Sequence, residues 1–248
     1  MATSLLYGYH PVREALRAQR RTIHTVYLAQ GKGAPRRQEI AELAKQTGVA
    51  VQWVAPQQIT NQVGHPRHQD VAAQCTDYPV SSLEEILAVC ADASEPPWVL
   101  LLDQVVDPQN FGAIVRTAHY AGMHGVLVPK DHSAPPTPAA SKASAGALEH
   151  MRVAYVTNLV SAANVLKEHG FWIAGSHQHG QRCVFDADLK GSLALIIGGE
   201  EKGLRPLVQK QCDFTVAIPQ MGQVGSLNAS AAAAIVIFEA FRQRRSGM

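Results

Sequence analysis

No stretch of this 248-residue chain is apolar for long enough to span a bilayer, which takes about 20 residues as a helix. Met1 to His10 has neither the charged start nor the apolar core of a secretory signal, so a soluble, cytoplasmic protein with no membrane partner is expected. Cysteines are few. Cys75, Cys90, Cys183 and Cys212 have no paired spacing, which fits reduced thiols rather than a disulfide frame or a zinc site. The 11 histidines do not supply a metal site either, because His65 with His68 and His177 with His179 lack further ligands nearby; surface or loop positions are expected for them. Strong charge of one sign is also missing. A net charge of +2 and a pI near 8.4 permit a nucleic-acid partner without demanding one. The 46% hydrophobic content is that of a globular protein, with length for one large or two modest domains.

The positive charge that is present comes in clusters. Arg13, Arg17, Arg20 and Arg21 crowd the first helical stretch, Lys32, Arg36 and Arg37 follow, and Arg242, Arg244 and Arg245 lie at the far end. Each cluster alone reads as well as a solvated helix face. A basic surface on a small domain joined to a ligand-binding one is nevertheless what a protein handling a polyanion carries. After a short apolar opening at Leu5 to Gly8, periodicity predicts helices over His10 to Arg20 and Arg37 to Thr47. Strands are expected at Val26 to Ala29, Val49 to Val54 and Val71 to Gln74, giving a compact αβαβ domain over residues 1–76. Ser81 to Cys90 predicts a helix capped by Ser81 or Ser82, but the polar, proline-containing stretch after it makes residues 77–97 the expected linker. His132 to Ala145, with Pro135, Pro136 and Pro138, reads as a mobile surface loop whose notable member is Lys142.

Residues 98–248 alternate strand and helix and predict an α/β domain with a mostly parallel sheet. Two buried strands, Leu193 to Ile197 and Phe214 to Ile218, each run into a glycine-rich polar turn. Gly198, Gly199 and Gly203 display Glu200 on the first. On the second, Pro219, Gly222 and Gly225 lead to Ser226, Leu227 and Asn228 before an alanine-rich helix that Ser226, Asn228 or Ser230 caps. That helix is apolar nearly all round, so it is buried against the sheet, a second subunit or both. A third polar cluster, Asp103 to Asn110, precedes the helix Phe111 to Ala121; Asn110 reads as its cap, and Arg116 follows six residues on. All three turns leave carboxyl ends of strands, where open α/β sheets bind ligands, so convergence of Asn110, Arg116, Glu200, Ser226 and Asn228 is expected.

The three segments resemble the signature motifs of the SpoU family, also called the TrmH family, of RNA ribose 2′-O-methyltransferases. Asp107-Pro108-x-Asn110-x-Gly112-x-Ile114-x-Arg116-Thr117-Ala118 is similar to the first, Ile197-Gly198-x-Glu200-x-x-Gly203 to the second, and Ile218-Pro219-x-Met221-Gly222-x-x-x-Ser226-Leu227-Asn228 to the third. The opening Tyr7-Gly8-x-His10 and the later His68-Gln69 resemble the substrate-binding domain attached in bacterial members. The resemblance implies a knotted, SPOUT-type α/β fold with a mostly parallel sheet and flanking helices, plus a small N-terminal α/β domain of the L30e-like kind. It implies a homodimer, S-adenosylmethionine as methyl donor and a structured RNA as substrate, the chain looking most like members that methylate a guanosine ribose in the peptidyl-transferase loop of 23S rRNA. No E-x-G-x-G-x-G stretch follows an early strand, which argues against the Rossmann-type methyltransferases.

By the same resemblance Gly198, Gly199, Glu200, Gly203, Ile218, Met221, Leu227 and Asn228 contact the donor, while Lys142, Arg13 and Arg17 meet RNA. Arg116 is the family's candidate base. A guanidinium holds its proton across the physiological range, so that role needs crowding by other cations or relay through a substrate phosphate; the alternative is that Arg116 positions the phosphate. Asn110 and Glu200 would orient Arg116 and the ribose, and Ser226 and Asn228 would shape the pocket. Two positions depart from the family pattern: His132 stands where relatives often have an arginine, and Asp70 where a glycine is usual. The rival substrate is tRNA. The rival class is an RNA-binding or ribosome assembly factor that kept the fold and lost catalysis.

Overall fold

The computed structural model describes residues 3–31, 35–199, 203–223 and 225–245. Along the chain run β1 (Thr3–Tyr7), α1 (Tyr9–Ala18), β2 (Ile23–Ala29), α2 (Pro35–Gln46), β3 (Ala50–Val54), α3 (Pro56–Val63), β4 (Val71–Thr76), α4 (Leu83–Ala91), β5 (Trp98–Asp103) and α5 (Pro108–Tyr120). There follow β6 (Val126–Pro129), α6 (Pro138–Ala143), a 3-10 turn (Ala147–Glu149), β7 (Val153–Val156), α7 (Leu159–Glu168), β8 (Trp172–Ser176), β9 (Arg182–Cys183), β10 (Leu193–Gly198), α8 (Pro206–Gln209), β11 (Phe214–Ala217) and α9 (Ala229–Arg245). They form two compact units, Met1–Pro79 with Pro136–His150, and Val80–Pro135 with Met151–Met248.

The first unit is a four-stranded mixed sheet in the order β1-β4-β2-β3. Its central strand β4 runs antiparallel to both β1 and β2, and β3 lies parallel to β2 at the edge. Val12, Ala15 and Leu16 of α1 bury against Leu6, Val26, Leu28 and Ile40, as their helical spacing requires. The expected αβαβ order is thus extended: Leu5 to Tyr7 is itself a strand, and α3 was not anticipated.

Two expectations are corrected. The proline-rich stretch 132–145 is not a free surface loop, because Thr137 caps α6 by accepting from the Ala140 N–H at 3.3 Å and Pro138 sits in its first turn. Ala140 and Ser141 are fully buried, and Glu149 just beyond is held within the first unit by Arg21. Nor is 77–97 a linker. Ser82 and Glu85 form the capping box that starts α4, whose Ile86 and Cys90 belong to the core of the second unit. Ile86 packs so closely on Gly125 that a Cβ there would lie 2.7 Å from its Cδ1.

The second unit is a seven-stranded sheet in the order β7-β6-β5-β10-β8-β11-β9, with every neighbouring pair parallel. Strand β5, Trp-Val-Leu-Leu-Leu-Asp, is buried at each position, as a strand covered on both faces must be. Helices α4 and α7 contribute to one apolar cluster, with Ala162, Ala163 and Leu166 against Leu127, Ile173 and Ile196. Helices α5 and α9 pack on each other.

Candidate functional site

The site is assembled where β5 and β10 end side by side, Gly198 in register with Asp103. Asp103 is fully buried and holds the following turn: its carboxylate accepts from the Arg205 main-chain N–H at 2.8 Å and from Arg205 Nε at 2.7 Å. Gly199 donates its N–H to the Asp103 carbonyl at 2.8 Å and receives that of Gly203 at 3.1 Å, which folds the glycine turn back on itself. A Cβ on Gly198 would lie 2.3 Å from the Gly203 carbonyl carbon, and one on Gly199 would lie 2.4 Å from the Gln104 oxygen. Main chain runs against main chain here, so no side chain fits. The same is true of Gly180, whose Cβ would fall 2.3 Å from the Val216 carbonyl carbon.

The third motif is fixed by Asn228. Its Oδ1 accepts from the N–H groups of Ser230 at 2.9 Å and Ala231 at 3.3 Å, so Asn228 is the cap of α9 among the three candidates. That duty also settles the orientation of its amide. With Oδ1 turned to the helix, Nδ2 points away and donates to Asn110 Oδ1 at 2.9 Å. Asn110 is therefore not the cap of α5: Asp107 is, accepting from Gln109 and Asn110 N–H at 3.1 and 3.2 Å, with Pro108 next in line. An aspartate three residues before the expected cap, followed by proline, was a legible start signal.

Beside this contact lies a cavity of about 630 Å³, within the range of sites that hold drug-sized molecules. Gly198, Gly199, Gly203, Ile218, Met221 and Leu227 line it, and so does Ser226. Asn228 is not part of the wall but stands between two residues that are, Leu227 and Ala229. Glu200 lies outside the described residues. Arg116 is exposed on α5, apart from the cavity wall and with no ion pair among the described residues. The sequence reading missed one wall altogether: Ser176 ends β8, His177 and Gln178 follow it, and all three line the cavity. The rule that drew attention to the other turns, polar residues at the carboxyl end of a parallel strand, applies to them equally. His177 was expected on a surface or loop. Its Nδ1 accepts from the His179 N–H at 3.1 Å, which leaves the proton of the neutral ring on Nε2 as a donor.

The basic clusters separate once partners are assigned. Arg13 and Arg17 are paired, with Glu14 at 2.7 and 3.3 Å and with Glu39 at 3.9 and 3.2 Å. Burial works to raise the Glu14 pKa, but hydrogen bonds from His150 and Arg13 outweigh it and hold the carboxyl below its ordinary value. Arg244 is structural: it donates to the Pro96 carbonyl at 2.7 Å and to that of Gly191, covers the Trp98 ring at 4.6 Å, and is brought down to about 10 by burial. Lys142 stands 5.0 Å from the Tyr7 ring centroid.

The SpoU rRNA Methylase family profile matches residues 97–238, and a profile for RNA 2′-O ribose methyltransferase substrate binding matches residues 5–81. The chain belongs to the SpoU family. It is an S-adenosylmethionine-dependent RNA methyltransferase, and the cavity suits that donor: glycine backbone lines one side, apolar Ile218 and Leu227 are available to a purine, and Ser226 and His177 offer polar contacts. Among SpoU and TrmH relatives, YacO of Bacillus subtilis, whose name covers tRNA and rRNA alike, is 37% identical over 237 residues, 96% of this chain and 94% of its own. The 23S rRNA (guanosine-2′-O-)-methyltransferase RlmB of Pseudomonas putida is 37% identical over 243 residues, 97% of this chain and 96% of its own. The crystal structure of the SpoU methyltransferase AviRb of Streptomyces viridochromogenes with its cofactor AdoMet superposes with a TM-score of 0.83 at 27% identity, over 99% of this chain and 92% of that one.

Proposed function

We propose that this enzyme methylates the ribose 2′-hydroxyl of a guanosine in the peptidyl-transferase loop of 23S rRNA, acting in the cytoplasm as a homodimer. The observation that carries the reading is the 2.9 Å hydrogen bond joining Asn228 to Asn110 at the edge of the donor cavity, where the first and third motifs meet. Similarity to RlmB over nearly the whole length supports the nucleotide. When bound, S-adenosylmethionine supplies a methyl group activated by its positive sulfur. Its transfer to the 2′-oxygen would release S-adenosylhomocysteine, and the hydroxyl proton would pass to an oxygen of the substrate phosphate and from there to water. Arg116, as a fixed cation, holds the substrate phosphate beside that hydroxyl, and Asn110 and Glu200 orient it; Gly198, Gly203, Ile218 and Leu227 hold the donor.

Two exposed aromatic rings support the dimer. Tyr120 of α5 is 78% exposed and Phe238 of α9 is 40% exposed, their ring centroids 6.1 Å apart, and Arg116 lies one turn before Tyr120 on the same helix face. A second copy covering that face would shield Arg116 from water. The trefoil knot implied by the family is part of the same proposal, and the close main-chain passes at Gly180, Gly198 and Gly199, where no Cβ fits, support it.

The test is transfer of labelled methyl to 23S rRNA and to tRNA transcripts, followed by mapping of the modified ribose. Label on one guanosine of the peptidyl-transferase loop is expected. Label confined to tRNA would replace the substrate, and RNA binding without donor consumption would replace the enzyme by an assembly factor.

A further inference from the structure

Basic side chains of the first unit occupy two surroundings. On α1 and just after it each arginine is engaged: Arg13 and Arg17 with Glu14 and Glu39, Arg20 with Tyr78, and Arg21 with Glu149. Around the loop between α3 and β4 the arrangement is the opposite. Lys142 sits over the Tyr7 ring, and the Tyr7 and His65 rings meet edge to face at 4.8 Å. Burial lowers the Lys142 pKa and the positive charge of nearby Arg67 lowers it further. Neither cation is in an ion pair among the described residues, and the acid on this loop, Asp70, is taken by Arg37 at 3.5 Å.

The loop itself is clamped. Buried His68 accepts from the Asp70 N–H through Nδ1 at 3.1 Å and shares a hydrogen bond with Thr60 through Nε2 at 2.9 Å. Gln69 Oε1 reaches across to accept from the Tyr9 N–H at 3.2 Å, serving the start of α1 where Gly8 offers no side chain. Gln69 and Asp70 hold φ of 54° and 63°, two consecutive non-glycine residues in the left-handed region. Backbone kept in that region by surrounding bonds is a common mark of a binding surface. His65 is oriented as well, its Nδ1 accepting from the Arg67 N–H at 3.1 Å.

We propose that this face of the first unit grips an unpaired segment of the RNA substrate, with Arg67 and Lys142 on phosphates and the Tyr7 and His65 rings against bases. The inference rests on the RNA methyltransferase reading above and adds which of two basic faces does the work; Lys142 also lies outside the stretch that the substrate-binding profile matches. Two cations held near each other without a counter-charge repel, and a polyanion relieves that repulsion. The Tyr7 and His65 rings are half-buried, and ring surface that stays open to solvent favours unpaired nucleotides, because a paired helix keeps its base faces stacked inside.

The test measures binding of the full chain to a labelled hairpin carrying the 23S peptidyl-transferase loop and to a fully paired duplex of equal length. Arg67→Ala with Lys142→Ala is expected to weaken hairpin binding about tenfold or more and to flatten the log Kd against log salt slope by about 1.4, for two single-strand phosphate contacts. Arg13→Ala with Arg17→Ala should stay near the parent, and Arg67→Lys with Lys142→Arg should restore binding, which excludes a folding defect. S-adenosylhomocysteine affinity should be the same in all. An unaltered salt slope in the double alanine variant, a larger loss in the Arg13/Arg17 variant, or equal losses on hairpin and duplex would overturn the inference. A parent chain that binds S-adenosylhomocysteine but neither RNA would instead overturn the function proposed above.

Discussion

Asn228 does two jobs with one side chain, and they can be separated. As a cap it satisfies N–H groups at the start of α9, worth about 1 kcal/mol when removed. As a donor it holds Asn110 at 2.9 Å beside the cavity. Asn228→Asp keeps the accepting oxygen and loses the donor, whereas Asn228→Ala loses both. The aspartate variant is therefore expected to unfold at the parent temperature yet turn over at least about tenfold more slowly, the cost of about 1.4 kcal/mol in the transition state. The alanine variant should lose turnover and about 1 kcal/mol of stability together. Parental turnover in the aspartate variant would leave Asn228 as a cap and nothing more.

Helices α5 and α9 carry the argument for a second copy. Their packed faces are ordinary core, with Ile114, Val115 and Ala118 on one and Ala233, Val236, Ile237 and Ala240 on the other, but Tyr120 and Phe238 point outwards. Tyr120→Asp with Phe238→Asp is expected to give a monomer by light scattering and to abolish turnover, since Arg116 shares that face. Arg116→Ala should stay dimeric, bind S-adenosylhomocysteine as the parent does and fail in methyl transfer. A monomeric parent, or an Arg116→Ala variant with parental turnover, would remove the respective part of the argument. At this scale most of the fold could be read from sequence: helices α1, α2 and α7 and the apolar strands β5, β10 and β11 lie within a residue or two of expectation, while α5 begins three residues earlier than Phe111. Elements held by contacts rather than composition could not. Strand β9 is two residues paired to β11, and α6 is six residues that look like a loop until their burial is known. The site followed the same division. The glycine turns announce themselves through backbone demands that are local, whereas His177 joins the cavity only because β8 is inserted between β10 and β11.

For the molecule as a whole, the consequence of discontinuous units is that the first cannot be cut out as residues 1–79. The chain returns to it with residues 136–150, and what it brings is a counter-charge. Arg21 and Glu149 are each 2% exposed by side chain and bonded in two places, at 2.8 and 2.5 Å, with Ser141 donating a third bond to the carboxylate at 2.6 Å. Without Glu149, Arg21 retains the Thr76 carbonyl at 3.4 Å and Cys75 Sγ at 3.6 Å, too little for a cation removed from water. Breaking such a pair from one side costs about 3–5 kcal/mol, against a total of roughly 0.05–0.15 kcal/mol per residue for a small domain. The excised segment 1–79 is therefore expected to lack a cooperative urea transition, and Glu149→Ala in the full chain to lower the first unit's stability by about 3–5 kcal/mol. Replacing both partners, Arg21→Met with Glu149→Leu, should recover most of that loss, because no uncompensated charge remains. A segment 1–79 that unfolds cooperatively at the full chain's midpoint would mean that the returning residues decorate the unit rather than complete it.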